Sequence, residues 1–264
     1  MHAALTIAGS DSGGGAGIQA DLKTFHAFGV FGTTAVTAIT VQDTRGVHGV
    51  HVVPADIVRA QIRVVARDLH PAACKTGMLG TRELVGAVAA SIREEGLTHY
   101  VLDPVMVATS GDRLLDADAE DAIRRELLPL CTVVTPNLDE AAILVGSVVS
   151  DEATMKQAAE RLVAMGARSA LVKGGHLRGE TVIDVLFDGD RFESWQRPRL
   201  RTRSTHGTGC TLSAAIAAGL AEGRPLRDAV SDALDYVHRA IEAAPALGAG
   251  HGPLNHNVPA RAPR

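Results

Sequence analysis

Aromatic residues are scarce in this sequence: Phe, Trp and Tyr together make up 3% of its 264 residues. A core cannot be built on stacked rings, so it must come from Ala, Val, Leu and Ile, and a hydrophobic content of 46% supplies them. Cysteine is also sparse. Cys74, Cys131 and Cys210 are odd in number, far apart and in no CxxC pair. That argues against a disulfide framework or a zinc site and for a reducing, cytoplasmic setting. Neither sign of charge dominates, and a net charge of −4 leaves no electrostatic footprint for nucleic acid or an anionic membrane. No apolar run reaches the roughly 18 residues that would suggest a membrane span. The N-terminal MHAALTIAGSD has no basic segment ahead of a long apolar one, so no signal peptide is expected. Interdomain linkers and repeats of the kind that build solenoids are absent as well.

What is present is alternation. Short apolar runs at 3–8, 33–41, 72–76, 99–103, 131–135 and 168–173 predict buried strands. Amphipathic stretches at 17–28, 55–68, 81–95, 117–128, 137–145 and 151–165 predict helices between them, and Gly96, Gly146 and Gly166 stand where helices should stop. Residues 181–196 read as a hairpin turning at DGD, and two helices at 208–222 and 225–243 close the chain. The expected fold is a single α/β domain over 1–264, a three-layer α/β/α sandwich around a mostly parallel sheet. The Pro-rich end, about 256–264, is expected to be loose.

Open parallel sheets bind ligands at the carboxyl ends of their strands, and three stretches after predicted strands could do so here. GSDSGGGAGIQADL (9–22) lacks the G-x-G-x-x-G spacing, and no G-x-x-x-x-G-K-[ST] occurs anywhere. What it offers is a flexible turn and a helix carrying Asp21, or simply a long turn whose glycines adopt positive φ. VLDPVMVATSGDRLL (101–115) puts Asp103 at a strand end before a loop, ATSGD, of small residues and hydroxyls; an isolated Asp there could equally cap the next element. THGTGC (205–210) opens a helix with four backbone N–H groups, those of Gly207, Thr208, Gly209 and Cys210, where the helix dipole favours an anion. An ordinary helix start is the alternative.

Two polar clusters add to these. TPNLDEA (135–141) sets Asn137 and Glu140 three residues apart, a spacing that suits Mg2+ held through water, although Asn137 could instead be a helix cap. VKGGH (172–176) puts Lys173 at a strand end, as a phosphate contact or a solvated terminus. Together the set describes an Mg2+–triphosphate site without a Walker A loop.

The order GSDSGGGAGIQADLKTF, QDTRGV, KTGML, LDPVMVATSGDRLL, TPNLDEA, VKGGH and STHGTGCTLSAAIAAGLA, with GHGPLNH near the end, resembles the hydroxymethylpyrimidine/phosphomethylpyrimidine kinases of thiamin biosynthesis, within the ribokinase-like superfamily. The resemblance runs from about residue 4 to 256. It implies ATP and Mg2+, a cytoplasmic homodimer, and phosphorylation of 4-amino-5-hydroxymethyl-2-methylpyrimidine and then of its monophosphate. It implies Gly207, Thr208, Gly209 and Cys210 as the catalytic anion hole and Lys173 and Asp103 at the ATP phosphates. Asn137 and Glu140 would serve Mg2+ through water. Gln42 would read the pyrimidine, with Gly9, Ala16, Asp21, Met78 and Val105 around it. Relatives outside this branch carry Asp where Cys210 stands. A helix N-terminus lowers a thiol pKa, so a contributing thiolate base is the expectation. Asp43 departs from the expected Asn and places a charge beside Gln42. His48/His51 and His251/His256 form pairs but show no third metal ligand. A pyridoxine/pyridoxal kinase is the nearest alternative, and a non-catalytic pyrimidine sensor the alternative from another class.

Overall fold

The computed structural model describes residues 1–106, 117–177 and 179–261. The chain begins with β1 (Ala3–Ser10), α1 (Gly17–Ala27), β2 (Phe31–Gln42), β3 (Val47–Val52) and α2 (Ala55–Leu69). It continues through β4 (Ala73–Thr76), α3 (Arg82–Glu94), β5 (Tyr100–Leu102), α4 (Ala117–Ala122), β6 (Val133–Val134), α5 (Leu138–Val145), α6 (Glu152–Ala164) and β7 (Ala170–Val172). It ends with the hairpin β8 (Thr181–Phe187) and β9 (Phe192–Pro198), then α7 (Thr208–Ala221) and α8 (Leu226–Glu242).

One nine-stranded sheet runs β3-β2-β1-β4-β5-β6-β7-β8-β9. From β2 to β7 all neighbours are parallel; β3 at one edge and the β8–β9 hairpin at the other are antiparallel. Successive side chains of a strand point to opposite faces, and both faces are covered. Leu5, Ile7, Tyr100 and Leu102 pack under α2 to α6, whereas Ala4 and Val101 pack under α1, α7 and α8. The three-layer α/β/α expectation therefore holds. The shortage of aromatics is met by close approach of small residues. Every residue of α7 from Thr211 to Ala221 is buried, and a Cβ on Gly219 would lie 2.8 Å from that of Ala229 on α8.

Three local expectations change. The edge strand β3 gives no strand signal in the sequence, because its residues are mostly exposed and the segment carries no buried run. The helix read over 117–128 is α4 followed by a π turn over Ile123–Leu127 and a 3-10 turn over Leu128–Leu130, where Pro129 lacks the N–H an α-helix needs. The tail stays attached from 256 to Arg261, the last described residue. Arg239 donates to the carbonyls of Pro259 and Ala260 at 3.1 and 3.0 Å, and Arg261 pairs with Asp232 and Glu222 while its guanidinium stacks on Phe28.

Candidate active site

A cleft of about 710 Å3 opens at the carboxyl ends of the parallel strands. Strand ends and the segments just beyond them deliver the chemistry: Gly9 from β1, Gly77 and Met78 after β4, Asp103 after β5, Asn137 after β6 and Lys173 after β7, with Gly207–Cys210 entering from α7. Sequence positions some two hundred residues apart meet because each parallel crossover returns the chain to the same edge of the sheet.

Gly9, Ala16, Gln42, Met78 and Val105 all line the cleft. A Cβ on Gly9 would come 3.3 Å from Met78 Sδ, so these two form one continuous apolar wall. The Gln42 backbone is pinned by Ser12, whose hydroxyl donates to Gln42 O and accepts from Gln42 N–H, both at 2.8 Å. Its side chain is held more loosely, with Nε2 3.5 Å from His206 Nε2. Thr40 has a single hydroxyl proton to give, and Ser10 O at 2.7 Å is a nearer acceptor than Gln42 Oε1 at 3.0 Å. Asp43 spends its carboxylate on the adjacent turn, accepting from Arg45 N–H at 2.8 Å and facing His48 at 3.2 Å. The Arg45 N–H and His48 hold its pKa down. Its charge is absorbed by the turn, and the residue does not line the cleft.

Lys173 Nζ is 3.3 Å from Asp103 Oδ1 and 4.0 Å from Glu140 Oε2. Burial works against the ammonium, but the two carboxylates outweigh it and raise the Lys173 pKa. Asp103 also accepts from Ser213 Oγ at 3.2 Å. A Cβ on Gly209 would lie 3.2 Å from Lys173 Nζ, which places the helix start directly against this cluster. Gly207 has φ +83°, and a side chain there would meet Gly15 O at 1.8 Å, so only glycine fits. The Thr208 N–H is used by Thr205 O at 3.3 Å, which trims the expected four donors; those of Gly207, Gly209 and Cys210 have no acceptor among the described residues.

Asn137 and Glu140 form a reciprocal capping box. Asn137 Oδ1 accepts from Glu140 N–H at 2.9 Å, and Glu140 Oε2 accepts from Asn137 N–H at 2.8 Å. The cap and the cleft-lining role coexist, since both residues line the cleft. Burial pushes the Glu140 carboxyl up to about 7, against the pull of Lys173. No group of three His, Cys, Asp or Glu side chains among the described residues forms a ready metal cage. A buried carboxylate beside Asp103 still offers the hard oxygen donors that suit Mg2+ held through its waters.

Two sequence expectations are corrected. Asp21 does not line the ring pocket. It is fully buried behind it, accepting from Thr6 Oγ1 at 2.6 Å and from Lys75 Nζ at 3.1 and 3.2 Å. The Cys210 thiol is not lowered by the helix start. Burial pushes it up to about 12, with Asp21 and Asp103 pushing the same way against Lys75 and the Gly17 N–H. The ATSGD loop lies outside the described residues.

Two further polar residues stand beside these groups. Asp11 accepts from Gly13, Gly15 and Ala16 N–H at 2.8, 3.0 and 2.8 Å and faces His206 Nε2 at 2.9 Å, tying the first glycine loop to the residue before Gly207. Lys75 is an entirely buried ammonium next to Gly77. Both sit inside quoted motifs, GSDSGGG and KTGML, but nothing in their spacing announces a long-range partner.

Comparison with known proteins agrees with this geometry. The family model described as phosphomethylpyrimidine kinase matches residues 11–255. The hydroxymethylpyrimidine/phosphomethylpyrimidine kinase of Rhizobium meliloti is 56% identical over 256 residues, covering 96% of each chain. Among solved structures, an ADP complex of Bacillus subtilis pyridoxal kinase is similar with a TM-score of 0.90 at 40% identity, covering 97% of both chains. The phosphomethylpyrimidine kinase of Clostridium difficile gives 0.82 at 38% identity, covering 91% of this chain and all of its own. With its motifs in register and its strand ends converging on one cleft, the chain belongs to the phosphomethylpyrimidine kinase family.

Proposed function

We propose that this cleft transfers the γ-phosphoryl group of ATP to the hydroxymethyl oxygen of 4-amino-5-hydroxymethyl-2-methylpyrimidine, and then phosphorylates the monophosphate to the diphosphate. The supporting observation is the placement of an adaptable amide and a flat apolar wall in a cleft that also carries Lys173, Asp103 and the start of α7. The Gln42 amide can donate to a ring nitrogen and accept from the 4-amino group. Gly9, Ala16, Met78 and Val105 enclose the ring, and the hydroxymethyl group then points toward Cys210.

Phosphoryl transfer is mostly positioning and charge stabilisation. The free N–H groups of Gly207, Gly209 and Cys210 face developing negative charge, and the Lys173 ammonium moves from its carboxylate partners to the transferred phosphate. Mg2+, held through water by Asn137 and Glu140 near Asp103, would neutralise the phosphates when ATP is bound. A loose transition state asks little of a base, so a protonated Cys210 is compatible with turnover, and we read it as a wall of the pocket.

A second reading, pyridoxal phosphorylation, is favoured by the structural likeness to pyridoxal kinase. ADP release measured with the aminopyrimidine alcohol, its monophosphate and pyridoxal separates the two. A larger kcat/KM for the pyrimidines supports the first reading, and a larger one for pyridoxal replaces it. We also infer one domain, a cytoplasmic setting consistent with three unpaired thiols, and a homodimer. The homodimer is supported by exposed Ile39, Val41, Val50 and Val64 on and beside the β2–β3 edge.

A further inference from the structure

The chain after α8 returns to the loops that border the cleft, although none of its residues lines the cleft itself. Its Gly250–His256 stretch touches three loops. At the pyrimidine end, His251 N–H donates to Thr44 O at 2.7 Å and Gly250 N–H to Thr44 Oγ1 at 3.2 Å, within the turn that follows Gln42. The approach is close enough that a Cβ on Gly250 would lie 2.0 Å from Thr44 O. In the centre, His206 N–H donates to Gly252 O at 3.1 Å, and Pro253 would meet a Cβ on Gly15 at 3.1 Å. At the far end, His256 Nε2 is 2.9 Å from Thr211 Oγ1, one residue beyond Cys210.

The stretch is itself anchored. Leu254 is buried in the core, Asn255 N–H donates to Ala240 O at 3.0 Å, and Tyr236 OH donates to His256 O at 3.0 Å. Burial, with Lys23 nearby, holds the His256 imidazole neutral by lowering its pKa to about 4. The ring therefore acts as a hydrogen-bonding group and not as a charge. Asp11 and Ser12 already tie the first glycine loop to His206 and Gln42, and the stretch adds further ties that bear on the spacing of the same loops. Phosphoryl transfer needs that spacing, since misplacement by about 1 Å can cost around 100-fold.

We propose that Gly250–His256 is a strap that sets the distance between the pyrimidine-reading turn and the anion hole, and that His256 is a positioning residue for the first turn of α7 through Thr211. This rests on the reading of Gln42 as ring contact and of Gly207–Cys210 as anion hole.

The two ends of the strap should fail differently. In the full-length enzyme, His256→Ala and Thr211→Val should each lower kcat about tenfold or more, with the KM for the pyrimidine within about twofold. Thr211→Val keeps the size of the side chain and so retains packing if His256→Ala does not fold. His256→Gln should recover most of kcat by restoring a hydrogen-bonding nitrogen, and the double variant His256→Ala/Thr211→Val should be no worse than either single one. Gly250→Ala should instead raise the KM for the pyrimidine about tenfold, with kcat less affected. The strap is overturned if Thr211→Val has wild-type kcat, or if both ends change kcat and KM in the same proportion. Gly209→Val gives the separation from the underlying reading. If it is inactive while the strap variants are silent, only the strap fails; if it is active, the anion-hole assignment fails.

Discussion

Lys173 and Asp103 stand 3.3 Å apart, with the start of α7 at Gly209 closing over the pair. The ammonium is held by carboxylates, and the proposed reading has it turn to phosphate when nucleotide binds. Lys173→Met removes the cation while keeping much of the stem. It should lower kcat by about 10²–10³, the range found when one preorganised donor is deleted from an anion hole. The pyrimidine KM should change little. Steady-state ADP release checks both numbers.

Gln42 is held by its backbone and left adaptable at its amide. Gln42→Leu leaves the ring's polar edge unpaired in a dry site, which costs roughly 1–3 kcal/mol. The KM for the pyrimidine should rise about tenfold or more, and ATP affinity should stay the same. An unchanged pyrimidine KM would remove Gln42 from the site.

The surroundings of Cys210, partial burial first and then Asp21 and Asp103, push its thiol pKa up and so favour the protonated form. Cys210→Ser should therefore keep kcat within a few fold, and wild-type kcat should show no rise through a thiol ionisation between pH 6 and 9. A large loss in the Ser variant together with such a rise would restore the thiolate base that the helix start first suggested.

His256 gives a stability test with a definite sign. Its folded pKa, about 4, lies below the ordinary histidine value of 6.5. Between those values the unfolded chain binds more protons, so stability rises with pH from about 4 to 6.5 and is level above. A gap of this size corresponds to on the order of 3 kcal/mol. Chemical denaturation of His256→Gln across that window should show a flatter pH dependence than wild type.

Much of this was legible in the sequence. Buried parallel strands announced themselves as continuous apolar runs, and glycines with positive φ at 96, 146 and 166 marked helix ends. The cleft residues followed because motifs at strand ends share one edge of the sheet. What stayed hidden depended on distance in sequence. Asp21 reads as a cleft carboxylate until Lys75 and Thr6 are seen to claim it. Cys210 reads as an activated thiol until its partial burial and the nearby Asp21 and Asp103 are seen to act against the helix start. The end of the chain beyond about 256 reads as loose because its Pro and Ala carry no signal of Arg239, which holds their carbonyls, or of Asp232 and Glu222, which pair with Arg261.

The central claim is that backbone N–H groups at the start of α7 hold the transferred phosphate, and Gly209 is where that claim is most exposed. A side chain there would press on Lys173 Nζ at 3.2 Å and fill the space a phosphate needs. The measurement is ADP release by Gly209→Val with the aminopyrimidine alcohol, beside circular dichroism showing an intact fold. The expected result is a folded protein with no detectable turnover where the wild type turns over. A folded Gly209→Val enzyme with near-normal kcat would contradict the account.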